Sequence, residues 1–311
     1  MLAPQRVALL LAAAVAGLVT AHTTPATAAP KAAAILAALP DDVSMIVAAD
    51  VKGSRGAALM PIVSAEVMAR SGPLEPLLGA NAAAMVDTYV VAKVGAPTGT
   101  WRGVIFICDG SFPADLLSAT AFTDLRTQDG YDIYTLSTSQ GPFEATLKGS
   151  RLMLADAGLM QPLIDIARKK KGKGAPRSAA KSKAAAPLRA AIAAAGSSGT
   201  AWAASLGTGS TGSTLASAGV AAAWLAFSLD VGADLGVRAT LELPDAAAAS
   251  QAVTMAAAGT AALTSAGGAM GLGSTLGSLA FTSAGRLFSA SLRVTAADLG
   301  MLLPVLRSVL P

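Results

Sequence analysis

The residue types that carry most protein chemistry are scarce in this chain. It has one histidine, His22, and one cysteine, Cys108, in 311 residues. A Ser-His-Asp triad, a Cys-His pair and a His-rich zinc site each need a histidine held in the folded body. His22 instead falls in an N-terminal segment with the features of an export signal. Cleavage after Ala21 would leave it as the new N-terminus, where a copper site would still need a second histidine, and cleavage further along removes it. Cys108 ends the apolar run Val104-Ile105-Phe106-Ile107-Cys108. It reads as a buried strand thiol without a basic neighbour to activate it, and a single cysteine forms no intramolecular disulfide.

Carboxylates remain. Asp41, Asp42, Asp50, Asp109 and Asp156 fall at the ends of expected strands. Two converging carboxyl groups would suffice for glycosidase-type acid–base chemistry, but aspartate at such places more often caps or closes a turn. Asp230 and Asp234 flank a tight turn, while the corresponding turn of the first half, Gly95 to Thr100, has no acid. No metal site is expected from them. Gly207-Thr208-Gly209-Ser210-Thr211-Gly212 matches the dinucleotide fingerprint, with Asp230 placed 23 residues after Gly207. That motif needs a crossover helix after the glycines, and the space before the next expected strand is too short for one. Ser178-Ala179-Ala180-Lys181 has the Ser-x-x-Lys nucleophile spacing, which requires a packed site to lower the lysine pKa; here it lies in a basic, Ala/Gly/Pro-rich stretch. No cofactor is expected.

The charge is concentrated in that same stretch. The chain has 23 basic and 19 acidic residues, formally +4. Arg168, Lys169, Lys170, Lys171, Lys173, Arg177, Lys181 and Lys183 supply eight of the cations without an intervening acid, leaving 15 basic against 19 acidic elsewhere. An acidic body with one basic segment does not read as a nucleic-acid-binding domain. The segment reads as a flexible, solvated linker over 168–187. Its eight cations are the candidate contact for an anionic surface, each worth about 1 kcal/mol near charged lipid and screened by salt.

The elements that would position these residues follow from apolar patterning. Residues 1–29 have the form of a signal peptide: Arg6, an uncharged run from Val7 to Val19, then small-residue cleavage sites ending at Ala21 and Ala28 or Ala29. An uncleaved membrane anchor is the alternative. Beyond it the order helix, strand, glycine element, two strands, strand pair, helix occurs twice, over 30–167 and 188–311. Matching strands include 43–51 with 200–206 and 89–94 with 224–231. The first half has an additional hairpin, Phe122–Arg126 and Tyr131–Leu136, around Gln128-Asp129-Gly130, a good turn signal. Asp245 is expected to cap a helix, and Thr295 with Asp298 resembles a capping box. The expected fold class is α+β: two tandem copies of an antiparallel sheet unit with helices packed on one face. Residues 246–285 carry no charge, yet Gly, Ser, Thr and Ala dominate them, so a transmembrane hairpin is not expected.

Alanine supplies 73 residues. With the export signal and the repeated strand-and-helix units, this resembles alanine-rich exported proteins of high-GC Gram-negative bacteria. The resemblance carries no catalytic residues with it. The expected function is a non-enzymatic binding or scaffold protein, periplasmic or secreted, whose basic linker touches anionic lipid, lipopolysaccharide or wall polymer. A carrier of an apolar ligand such as lipid and a carboxylate-dependent hydrolase of envelope polysaccharide are the alternatives.

Overall fold

Strands with apolar residues on both faces need cover on both sides, and that requirement organises this molecule. A computed structural model describes residues 32–57, 75–78, 82–95, 101–118, 124–138, 141–170, 172, 175–196, 200–217, 219–269 and 273–299. The expected signal segment with Arg6 and His22, the linker residues Lys171 and Lys173, Phe122 and Thr123 of the expected hairpin, and the part of the expected C-terminal helix beyond Leu299 lie outside the described residues. The strands are β1 (Val43–Asp50), β2 (Val86–Gly95), β3 (Trp101–Gly110), β4 (Asp124–Gln128), β5 (Tyr131–Thr138), β6 (Gly141–Lys148), β7 (Arg151–Asp156), β8 (Ala201–Leu206), β9 (Trp224–Val231), β10 (Leu235–Glu242), β11 (Ala280–Ala284) and β12 (Leu287–Val294).

They form one sheet of 12 strands in the order β11-β12-β10-β9-β8-β1-β2-β3-β7-β6-β5-β4, with every neighbouring pair antiparallel. This corrects the expectation of two tandem sheet units. Separate units would have left β1 and β8 as edges with unpaired backbone groups. Instead β1 and β8 pair from Met45↔Ser205 to Ala49↔Ala201, and the Asp50 amide donates to the Thr200 carbonyl at 2.9 Å. The same element order then runs outward from this seam on both sides: β1-β2-β3-β7-β6 one way and β8-β9-β10-β12-β11 the other.

The helices lie on both faces, a second correction. On one face the helices Ala32–Ala38, Met160–Ala167 and Ala186–Ala195 set Leu36, Leu163, Ile164, Leu188 and Ile192 over Ile46, Val90, Ile105, Met153 and Trp202. On the other, Leu77 and Leu78 of the short helix Glu75–Leu78 pack with Phe106, Cys108, Leu152 and Leu154. Leu215 of the helix Gly209–Ser217 and Ala249 of the helix Ala246–Ala269 cover Leu241 and Leu243 on that same side, next to Leu225. Runs such as Val104–Cys108 place alternate side chains on opposite faces, so a one-sided helix layer would have left half of them in water.

Local signals hold where they depend on one or two residues. Asp129 and Gly130, at φ of 56° and 78°, close the β4–β5 hairpin. The Asp245 carboxylate accepts from the Ala248 amide at 2.7 Å and caps the helix Ala246–Ala269. After β3, residues 114–118 form turns. Thr295 caps as expected, its hydroxyl accepting from the Asp298 amide at 3.1 Å. The Asp298 carboxylate makes its bonds elsewhere: it accepts from Ser274 at 2.8 Å and from the Thr275 hydroxyl.

Asp298 is buried, and its partners Thr275 and Ser274 hold its carboxyl below the usual carboxylate range. A folded pKa below the unfolded value of ~3.9 stabilises the fold above that pH, and the contribution fades as pH falls through the folded value. Asp298→Asn is therefore expected to lower the thermal midpoint at pH 7. Repeating the melt at stepwise lower pH should show the gap to the parent closing below about pH 4.

Candidate functional site

The basic segment starts where the helix Met160–Ala167 ends, and two of its first cations are already paired. Arg168 bonds the Asp129 carboxylate in the β4–β5 turn. Lys170 lies 3.2 Å from Asp165, one turn back. These contacts fix the helix end; Arg168 is also the main reason that the Asp129 carboxyl lies below its ordinary value. Lys169, with a positive φ of 54°, is exposed.

From Ala175 onward the segment follows the first helix. Ser178 bridges to Pro40; the Ala179 amide donates to Leu39 at 2.9 Å and the Ala180 amide to Leu36 at 3.1 Å. Ala179 and Ala185 are buried in the core of the helix-covered face. From the following helix, the Arg189 guanidinium donates to the carbonyls of Ala179, at 3.0 Å, and Ser182, at 2.5 Å. The backbone is thus anchored at four points while Arg177, Lys181 and Lys183 remain exposed. Among the described residues, Lys169, Arg177, Lys181 and Lys183 form no ion pair with a carboxylate. The small residues Ala179 and Ala185 make this arrangement: they enter the core where larger side chains would hold the segment off.

Asp42, Asp50, Asp109, Asp156 and Asp234 resolve into structural roles. Asp50 accepts from the Gly53 amide at 2.9 Å and starts the short helix Val51–Ser54. Asp109 receives two bonds from Arg151 at 2.7 and 2.8 Å. Asp42 pairs with Arg102, and Asp156 accepts from the Val104 amide at 2.6 Å. Asp50 and Asp109 share one cross-strand row, with Thr88 between them, a backbone separation of roughly 9–10 Å. Asp234 pairs with Arg293 at 2.7 Å. Among the described residues no group of three or more His, Cys, Asp or Glu side chains is placed to hold a metal. Cys108 is completely buried; burial pushes its thiol up, with Asp109 adding to the effect.

The glycine motif follows β8 and starts the helix Gly209–Ser217. The next strand, β9, returns antiparallel to β8, so the parallel crossover of a dinucleotide-binding unit is not formed. Its glycines answer to the chain's own backbone: a Cβ on Gly207 would stand 1.8 Å from the Ala222 carbonyl oxygen, and one on Gly212 would stand 2.5 Å from that of Gly207. The turn borders an open cleft of about 850 Å³ with Val220, Ala222, Leu243, Pro244 and Arg286 on its walls. Sequence reasoning missed this cleft, whose walls come from positions far apart in the chain that the β8–β9–β10–β12 ladders bring together. Arg286 is engaged there with Glu242 and the Leu243 carbonyl.

No family model matches the chain, and no curated protein matches it. It is similar to the solved structure described as "Structure of crystal form I of TP0453", with a TM-score of 0.51 at 9% identity, over 87% of this chain and 96% of that one. At that identity the likeness is one of fold.

Two measurements check these assignments. Cys108 should resist maleimide labelling in the native protein and react fully in denaturant. Gly207→Ala should cost about 2 kcal/mol or more in urea unfolding through overpacking. Gly232→Ala, whose Cβ meets nothing within 4 Å, should change stability little.

Proposed function

We propose that this chain is a non-enzymatic binding or scaffold protein acting outside the cytoplasm, and that its basic segment docks it on an anionic surface. The carrying observation is the set of exposed cations Lys169, Arg177, Lys181 and Lys183, without carboxylate partners among the described residues. The segment from Ser178 to Ala185 is held against the core. Lys181 and Lys183, on this anchored backbone, lose less conformational freedom on meeting phosphate or carboxylate groups than the same cations on a free tail. The surrounding body is net acidic, so attraction is confined to this segment and orients the molecule. Lipid head groups, lipopolysaccharide and acidic wall polymers all present the required anions.

Cosedimentation with vesicles tests the reading. Binding to vesicles containing phosphatidylglycerol should exceed binding to phosphatidylcholine alone and should fall as salt rises. Replacing Lys169, Arg177, Lys181 and Lys183 together by glutamine should weaken partition roughly ten- to a hundred-fold at low salt. Equal pelleting of parent and variant would remove the proposal.

A further inference from the structure

The 40 residues from Ala246 to Gly285 without a charged side chain occupy one place in the fold. Those among them that are described include the helix Ala246–Ala269, the short helix Gly273–Gly277 and β11, which is an end strand of the sheet. Among the described residues β11 pairs with β12 on one side only, and four of its five residues are exposed. Phe281 on it stacks against Phe288, ring centres 6.0 Å apart. The helix beside it presents Ser250, Gln251, Thr254, Ala257 and Ala258 outward, with Met255 at 53% exposure.

Open sheet edges are commonly guarded by charge or proline. β4, at the opposite end of the sheet, carries Asp124 and Arg126. β11, Ala280-Phe281-Thr282-Ser283-Ala284, carries neither charge nor proline. Gly285 and Arg286 form a two-residue turn between Ala284 and Leu287. The closing pair of such a hairpin is hydrogen-bonded, so the alternation turns the backbone groups of Phe281 and Ser283 outward.

We propose that the β11 edge, with the uncharged helix next to it, is a two-fold interface at which a second copy of this chain continues the sheet. Antiparallel pairing about Thr282 sets that residue opposite itself, Phe281 opposite Ser283 and Ala280 opposite Ala284. The outward groups of Phe281 and Ser283 then make four hydrogen bonds. A Thr–Thr pair at the centre is favourable, and no like charges meet, because none are present. Lipid is the poorer occupant: it would cover the apolar side chains but leave the edge amides and carbonyls unsatisfied. This surface is distinct from the basic segment, so its test does not depend on anion binding.

Light scattering of the purified full chain should give twice the chain mass at micromolar concentration. Thr282→Cys should cross-link to a single covalent dimer under mild oxidation; Cys108 is buried and does not compete. Ser283→Pro removes an outward amide at a position where edge strands accept proline. It should weaken the dimer at least about ten-fold with an unchanged circular dichroism spectrum. If Ser283→Pro fails to fold, the cross-linking result stands alone. A monomer at all concentrations would overturn the proposal. So would a dimer that Thr282→Cys fails to link, or a monomer that binds phosphatidylcholine vesicles and loses that binding in Met255→Glu.

Discussion

The rest of the structure depends on the antiparallel ladder between β1 and β8. Each of these strands would otherwise be the exposed edge of its own half, and each is apolar on both faces. Ile46, Ala48, Trp202 and Ala204 meet one helix layer, while Val47, Ala49, Ala201 and Ala203 face the opposite side. Pairing the two removes two edges at once and puts the most apolar strands in the middle of a wide sheet. The helix Ala186–Ala195 lies over β8 and β9 and seals the seam with Leu188, Ala191 and Ile192. Alanine is abundant at this seam for a geometric reason: small side chains let two layers approach a ladder that has cover on both faces.

Polarity increases away from the seam. On β10 and β12 one face carries Arg238, Thr240, Glu242, Ser289, Ser291 and Arg293, with Thr240 and Ser289 hydrogen-bonded at 3.1 Å, while the opposite face keeps Val237, Ala239 and Leu292 against the core. The aspartates at strand ends neutralise neighbouring arginines or cap short turns. Most charge of the body is therefore used internally, in pairs that are largely exposed and individually weak. Against this background the cations from Lys169 to Lys183 that lack partners among the described residues, and the uncharged edge at β11, are the two surfaces whose composition departs from the rest. They lie in separate parts of the chain and suit different partners, one anionic and one self-complementary.

The sequence was legible wherever a structure rests on short-range contacts. The Asp129-Gly130 turn and the Asp245 cap are each set by a few neighbouring residues, and each formed as read. The order of strands along the chain was equally clear, because Gly and polar turns interrupt apolar runs. The Asp298 carboxylate shows where such reading ends. Its spacing to Thr295 suggested a reciprocal cap, but Ser274 and Thr275, more than twenty positions upstream, offered two hydroxyl donors in the folded protein. The basic segment shows the same limit. Its composition indicated solvation, and its described cations are exposed, but the Ala179 and Ala180 amides bind it to the first helix through contacts with residues some 140 positions earlier.

By itself the sequence determined the scarcity of histidine and cysteine chemistry, the confinement of positive charge to one stretch, the uncharged run from Ala246 to Gly285 and the inventory of strands. These are properties of composition and local pattern, and folding does not alter them. Only the tertiary structure decided that the two halves share one sheet, that helices cover both of its faces, and that the uncharged run includes an end strand of that sheet. Apolar alternation specifies how a strand is buried but not which strand lies beside it. Backbone hydrogen bonds are chemically identical at every position, so the choice of neighbour falls to the packing of the whole chain.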